Sequence, residues 1–293
     1  MEQFTSIIIG AGPSGIGVAC GLKELEKSKK SLILEKNNRV GGLAGSFKLD
    51  NDIIDFGPHR LAPTIQSVTE IAKEACGEDL LVKKSEHGVY INEKLYQFPP
   101  KLTQWFDIKS QLLLIKFFLV LLKVYIKHFY FEKLNLKKLI ISKFGKYFYT
   151  NIVKPMADKV WGNSDNLDPQ FVNKRFSQLN PSEFLIKKIF NRQDLNPDNF
   201  YYPKNGFQQL WDDIILKNLK NYIDVKLETY PKEIIINDKN LVSSIKLNNG
   251  IIQNLDKTQI ISTIPVIELI KCLKNIDKSN LEEKLKEVKI RSM

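Results

Sequence analysis

The chain has 293 residues, 43% of them hydrophobic, enough to bury a core in more than one lobe and unlike a disordered or collagen-like composition. Lys and Arg number 44 against 33 Asp and Glu, a formal net charge of +11, which favours anionic partners, among them an anionic small-molecule substrate, although the scattered lysines also fit compositional bias with solvated faces. No run interleaves basic and aromatic residues as a nucleic-acid module would, so no nucleic-acid partner is expected.

In chain order, Thr5–Ile9 is a short apolar, β-branched run of the kind that forms a buried parallel strand. Glycines follow at 10, 12 and 15. A helix is predicted over Ser14–Lys27, with Ile16, Ala19, Leu22 and Leu25 at helical spacing, and a second strand over Ser31–Leu34. This is a βαβ opening. Asp52–Phe56 and Gly88–Phe98 read as further strands. From 108 to 131 the pattern is helical and very apolar, and more helix is expected over Leu136–Phe148 and Pro181–Phe190. β-type texture returns near Tyr222: Val225, Leu227 and Thr229 alternate, and Ile234–Ile236, Leu241–Leu247 and Gln259–Thr263 read as strands, with a turn at Asn248-Asn249-Gly250. The expected division is 1–90 for the first part of a dinucleotide-binding domain, 91–220 for a mainly helical substrate domain, 221–270 for returning strands, and 271–293 for the start of a C-terminal part.

Lys116 and Lys123 interrupt the apolar 108–131 stretch, and each is costly at a bilayer centre. A helix buried in the substrate lobe, a helix lying on a membrane surface and a crossing helix all stay open. Cys20, Cys76 and Cys272 are odd in number and far apart, which suits reduced thiols and no disulfide framework. His59, His87 and His128 have no metal-ligand spacing, and no metal is expected. No signal-peptide pattern opens the chain, so a cytoplasmic location is expected, with peripheral contact at the inner membrane face through 108–131 as the alternative.

The strongest local signal is Gly10-Ala11-Gly12-Pro13-Ser14-Gly15 between a strand and a helix. Gly10 permits the tight turn, Gly12 lets the backbone approach a pyrophosphate, and Gly15 lets helix pack on strand. The helix N-terminus presents N–H groups and partial positive charge to phosphates. Glu35 ends the second strand, 20 residues after Gly15, where an acid accepts from ribose hydroxyls and repels a 2′-phosphate.

Arg39-Val40-Gly41-Gly42, followed by Leu43-Ala44-Gly45-Ser46, resembles the RxGG doublet of the FAD-dependent amine oxidase superfamily. That group includes protoporphyrinogen oxidases, phytoene desaturases and, more distantly, UDP-galactopyranose mutases. Asp55-Phe56-Gly57-Pro58-His59-Arg60 is similar to the segment beside the flavin ring, and Gly-Pro-His especially to the mutases. The resemblance implies an α/β fold: a Rossmann-like FAD-binding domain with an inserted, mostly helical substrate domain. It implies FAD as cofactor, held by Gly10, Gly12, Pro13, Ser14, Gly15, Glu35, Lys36, Arg39, Gly41, Gly42, Leu43, Gly57, Pro58, His59 and Thr263. No catalytic residue is assigned beyond His59 as a candidate, a lone histidine being more often a packed one. Lys154–Gly162 and Tyr201–Phe207 are similar to segments of bacterial amine-oxidase-like proteins, some linked to surface polysaccharide synthesis, and Arg175 falls where these often carry a basic residue. These residues either line a substrate pocket or pack helices. Val225–Ile234 resembles the strand pair that contacts adenine, with Pro231 in place of the usual Val and therefore without an N–H to donate. Ser262–Pro265 is similar to the strand end that returns to the cofactor. Superfamily members continue past the equivalent of Met293, so a truncated chain is expected, with Val288–Ser292 the start of a further strand. The activity implied is that of an FAD-dependent oxidoreductase, in which a hydride passes from an unidentified substrate to flavin N5. A flavin-dependent sugar-nucleotide mutase and a non-catalytic relative are the alternatives.

Overall fold

A computed structural model describes residues 4–25, 30–62, 65–84, 87–91, 94–98, 135–167 and 199–286. The chain forms two compact units, one of Met1–Ser85 with Pro197–Lys289, the other of Glu86–Asn196 with Ile290–Met293.

In the first unit, β1 (Ser6–Ile9), α1 (Pro13–Leu25) and β2 (Ser31–Leu34) form the βαβ opening. β1 and β2 are fully buried, parallel and in register, Ile8 opposite Ile33. Their side chains alternate between two cores. Ile8 and Ile33 face α1 (Gly15, Ile16 and Ala19 buried) together with Ala72, Ala75, Phe207 and Leu210. Ile7, Ile9, Leu32 and Leu34 face a second core with Ile234, Ile245, Leu247 and Leu255. A strand buried on both faces reads as an unbroken apolar run, which is why SIII and SLIL show no polar alternation. The helical stripe is shorter than its spacing predicts: Leu25 is 83% exposed.

An antiparallel hairpin of β3 (Ser46–Leu49) and β4 (Asp52–Asp55) follows, then α2 (Gln66–Cys76) and β5 (Leu80–Lys84). In the second unit the predicted strand Gly88–Phe98 is a hairpin, β6 (His87–Ile91) paired with β7 (Lys94–Phe98). The helix expected over Leu136–Phe148 is broken. α3 (Leu136–Phe144), begun by the Asn135 side chain accepting from the Lys138 N–H, stops at Gly145, whose φ of 87° is left-handed. α4 (Lys146–Phe148), a wide π turn over Tyr149–Val153 and α5 (Lys154–Trp161) continue the chain. Leu136, Leu139, Ile140, Tyr149, Val153 and Ala157 form this unit's core. The Lys154–Gly162 segment thus packs through Ala157, and Lys154 pairs with Asp158 at 2.9 Å and Asp165 at 3.4 Å.

The chain returns to the first unit at β8 (Asn199–Pro203), antiparallel to β5, and α6 (Phe207–Asp213), which runs into a π turn over Ile214–Leu219. Residues 199–219 therefore belong with the nucleotide-binding fold and not with the insertion ending at 220, because β8 completes a sheet begun by β5 and Phe207 and Leu210 fill the α1 core. β9 (Ile223–Lys226) adds to β2, and β13 (Gln259–Ser262) to β1, giving a parallel sheet ordered β13-β1-β2-β9. β10 (Pro231–Ile236), β11 (Val242–Leu247) and β12 (Ile251–Gln253) form an antiparallel meander that supplies the second core. The 248–250 turn joins β11 to β12, the Leu247 N–H bonding the Gly250 carbonyl. α7 (Val266–Cys272), β14 (Leu273–Lys274) and α8 (Ser279–Lys286) follow. β14 pairs parallel with β10, so residues 271–286 join the first unit instead of opening a separate part. The predicted helices over 108–131 and 181–190, Arg175 and the strand over 288–292 lie outside the described residues.

Candidate dinucleotide-binding site

The site is built at the C-terminal ends of β1 and β2, where parallel α/β sheets bind ligands. Gly10 takes φ of 103°, and its N–H bonds the Leu34 carbonyl at 2.8 Å, so the chain leaves β1 against the end of β2. A Cβ on Gly10 would lie 2.7 Å from Thr263 Oγ1. A Cβ on Gly15 would fall far inside contact distance of the Gly10 carbonyl oxygen. These glycines let strand, helix and Thr263 close on one another. Gly12 differs: a Cβ there meets nothing within 4 Å. Gly12 stands at the start of α1, beside exposed Pro13 and Ser14. Ile16 is the residue whose N–H returns to the Gly12 carbonyl, at 3.0 Å, and the helix N–H groups before it have no intrahelical partner. The open space at Gly12 faces a helix N-terminus.

The Gly41-Gly42 turn comes to the same place. The Gly41 N–H donates to the Ala11 carbonyl at 2.8 Å, and a Cβ on Gly42 would lie 3.2 Å from Gly12 Cα. Two glycine turns, some 30 residues apart in sequence, thus share one open face. Leu43, next along, is 81% exposed.

Glu35 is 6% exposed. Its Oε2 accepts the Ala11 N–H at 2.8 Å, and its Oε1 accepts the Asn37 backbone and side-chain N–H groups at 2.9 and 2.8 Å. Three of about four lone-pair sites on the carboxylate are filled, so it both ties the glycine loop to β2 and keeps acceptor capacity for a ribose hydroxyl. Asn37 is a partner the motif did not suggest. Arg39 Nη1 donates to the carbonyls of Gly42 (3.0 Å) and Val40 (3.3 Å) and to Gln208 Oε1 (3.2 Å), and its guanidinium stacks 4.3 Å from the Phe56 ring centroid.

The Asp55–His59 segment is fixed to the same turn. His59 Nε2 lies 2.8 Å from the Leu43 carbonyl, and its ring 5.5 Å from that of Phe207. A carbonyl only accepts, so Nε2 is the donor in this bond. His59 thereby ties the Gly57–His59 bend to Leu43. A Cβ on Gly57 would pack on the His59 ring at 3.4 Å, and Pro58 beside it is exposed. Asp55 Oδ1 accepts from Ser46 Oγ (2.6 Å) and the Phe207 N–H (3.1 Å), and Oδ2 from Tyr202 Oη (2.8 Å). Burial and the Asp55 carboxylate push the Tyr202 phenol up to about 12. Tyr202 and Phe207 thus act as struts between β4, β8 and α6.

Two further predicted site residues also have partners within the protein. The Thr263 hydroxyl lies 3.0 Å from the Ile9 carbonyl and 3.2 Å from that of Gly10, bonding the underside of the loop. Lys36 reaches over the Tyr230 ring, 5.8 Å from its centroid. Pro231 opens β10 opposite Leu247. The N–H groups just before it are taken by the protein, Thr229 bonding the Glu35 carbonyl and Tyr230 the Asn248 side chain. Sequence reasoning missed Gln208 and Trp211 on α6. Trp211 Nε1 donates to the Ala44 carbonyl at 2.7 Å, and its ring leaves no room for a Cβ on Gly41. Among the described residues no cluster of three or more His, Cys, Asp or Glu is placed to hold a metal, and no helix is long and apolar enough to cross a membrane.

Residues 8–75 match the NAD(P)-binding Rossmann-like domain family. Over 94 residues the chain is 34% identical to coproporphyrinogen III oxidase of Staphylococcus aureus (strain NCTC 8325 / PS 47), which is 31% of this chain and 20% of that protein. Reduced UDP-galactopyranose mutase superposes with a TM-score of 0.73 over 96% of this chain, at 22% identity. A protein of Exiguobacterium sp. 255-15, provisionally named protoporphyrinogen oxidase, superposes with a TM-score of 0.65 over 97% of this chain, at 18% identity. A fatty acid isomerase of P. acnes that produces CLA gives a TM-score of 0.54 over 94%, at 15% identity. The chain spans 60% to 64% of the length of these three structures. Their names cover an oxidase, a mutase and an isomerase, so the shared fold alone does not choose a reaction. The family match and these superpositions show the Rossmann-like dinucleotide-binding α/β fold that the resemblance implies.

Proposed function

We propose that this chain binds FAD and belongs to an oxidoreductase of the protoporphyrinogen oxidase and amine oxidase type, acting on an anionic small molecule. The observation that carries the reading is the open face at Gly12: within the two glycine turns, Gly10, Gly15, Gly41 and Gly42 meet protein where a side chain would be, and a Cβ on Gly12 meets nothing within 4 Å. That is the cradle a diphosphate requires, with α1 behind it. In this reading the start of α1 and the Gly42 backbone hold the diphosphate, with Arg39 alongside. Glu35 takes a ribose hydroxyl with its remaining acceptor site, and its charge disfavours a 2′-phosphate. The Gly57–His59 bend, held by Leu43, lies along the isoalloxazine. Flavin supplies hydride acceptance and onward electron transfer, for which the protein contributes position and electrostatics.

The test is the visible absorption spectrum of the purified protein before and after incubation with FAD and desalting. A retained flavin spectrum is expected, and a protein that stays colourless overturns the reading. A second reading, a flavin-dependent sugar-nucleotide mutase, is favoured by the Gly57-Pro58-His59 sequence and by the TM-score of 0.73 with UDP-galactopyranose mutase. Turnover of a UDP-sugar by the reduced, FAD-loaded protein, without net oxidation, would select it over the oxidase.

A further inference from the structure

We propose that Gln208 is a positioning residue that aims the Arg39 guanidinium, and with it the turn at residues 39–45, at the diphosphate. This rests on the FAD reading above. Gln208 is the second residue of α6, about 170 positions from the turn it serves. Its side-chain amide has one acceptor and two donor hydrogens, and all are matched: Oε1 accepts from Arg39 Nη1 at 3.2 Å, and Nε2 donates to the Val40 carbonyl at 3.2 Å and to Asp212 Oδ1 at 2.9 Å. The partners decide which end is which, since a guanidinium only donates and a carbonyl and a carboxylate only accept. Its backbone N–H is held by Ser46 Oγ at 2.9 Å, so the side chain starts from a fixed point. A Cβ on Gly45 would lie 2.5 Å from Gln208 Oε1 and would collide with Arg39 Nη1 as well. The Arg39–Gln208 pair therefore fills the volume of a missing side chain.

One helical turn further on, Trp211 holds the other end of the same turn through its bond to the Ala44 carbonyl. The division of labour is testable. Trp211 secures only the backbone of the turn, and Gln208 secures the cation as well as the Val40 carbonyl. Removing the Gln208 amide releases one of three restraints on Arg39 Nη1 together with the Val40 bond, and leaves the turn pinned by Trp211 and by the Gly41–Ala11 hydrogen bond. Asp212, the acid on the far side of the amide, also attracts Arg39, and without Gln208 between them the guanidinium is drawn to α6.

FAD affinity, read by quenching of flavin fluorescence, tests this in a double-mutant cycle. Gln208→Met is expected to weaken FAD binding about tenfold, the scale of one lost charge-assisted hydrogen bond. Gln208→Glu combined with Asp212→Asn keeps an acceptor for Arg39 without setting a second carboxylate against Asp212, and is expected to stay within about threefold of the Asp212→Asn protein. In an Arg39→Met background, Gln208→Met is expected to change affinity by less than about twofold, since coupled residues do not add. A full tenfold loss in that background assigns Gln208 a merely structural role and overturns the proposal, as does no loss in Gln208→Met or a tenfold loss in the Gln208→Glu, Asp212→Asn double variant relative to Asp212→Asn. If Gln208→Met does not fold, that double variant decides by the same threshold. Absence of FAD binding by wild type is a separate result: it refutes the cofactor reading itself, and the proposal falls with it.

Discussion

Replacing Gly12 by Ala separates the folding role of the glycine loop from its binding role. The φ of Gly12 is not in the left-handed region, and the added methyl meets no protein atom within 4 Å. Ala therefore costs the folded state nothing sterically and reduces the freedom of the unfolded chain, which stabilises a protein by about 0.4–1 kcal/mol when the native conformation is compatible. For a chain of this size that is a rise of roughly 1–4 °C in the melting temperature without ligand. In the proposed binding mode the same methyl would sit where the diphosphate meets the start of α1, and a displacement of about 1 Å from the helix N–H groups is expected to cost at least a hundredfold in FAD affinity, about 2.7 kcal/mol. Gly15→Ala gives the opposite pattern, because its methyl runs into the Gly10 carbonyl and overpacking there costs about 1–3 kcal/mol of apo-protein stability. Thermal melts without FAD and fluorescence titrations with FAD on both variants are the assay. The reasoning is refuted if Gly12→Ala loses as much apo stability as Gly15→Ala, or if it binds FAD like wild type.

Glu35→Gln removes a buried acceptor of three N–H bonds and turns an NH2 group towards donors. A loss of about 1–3 kcal/mol in urea unfolding of the apo protein is expected, and an unchanged midpoint would mean that Glu35 does not clamp the loop. Thr263→Val deletes the hydroxyl beneath Gly10 and is expected to cost about 1 kcal/mol of stability while leaving FAD affinity within a few-fold; a large, selective loss of affinity would return Thr263 to the ligand. Tyr202 favours its neutral form in the folded protein, with the phenol raised from 10 to about 12. The stability this contributes is complete below pH 10 and is lost as pH rises towards 12. A 295 nm titration of wild type against Tyr202→Phe should show the missing phenolate appearing near pH 12, and one lost near pH 10 would contradict the burial and the Asp55 bond.

Much of the cofactor end of the molecule was legible because its rules are local. SIII, GAGPSG and SLIL specify a strand, a turn and a strand through side-chain size and glycine freedom alone, and β1 and β2 begin and end within a residue of the prediction. Gly145 was equally legible in principle: a left-handed residue in the predicted helix Leu136–Phe148 breaks it. The hairpin inside Gly88–Phe98 was missed because residues 92 and 93 carry no strong turn signal such as Asn-Gly.

What the sequence by itself determined is the local pattern of the motif: which glycines, which acid and which arginine gather at the ends of β1 and β2, since that rests on residue type at fixed short spacing. Only the tertiary structure decided how those pieces are held. Gln208 and Trp211 grip the 39–45 turn from α6, Asp55 braces Tyr202 and Phe207, and the Thr263 hydroxyl bonds the end of β1. These contacts join residues up to about 250 positions apart. No period or spacing in the chain encodes them, because they follow from strand order β13-β1-β2-β9 and the packing of α6 in the α1 core.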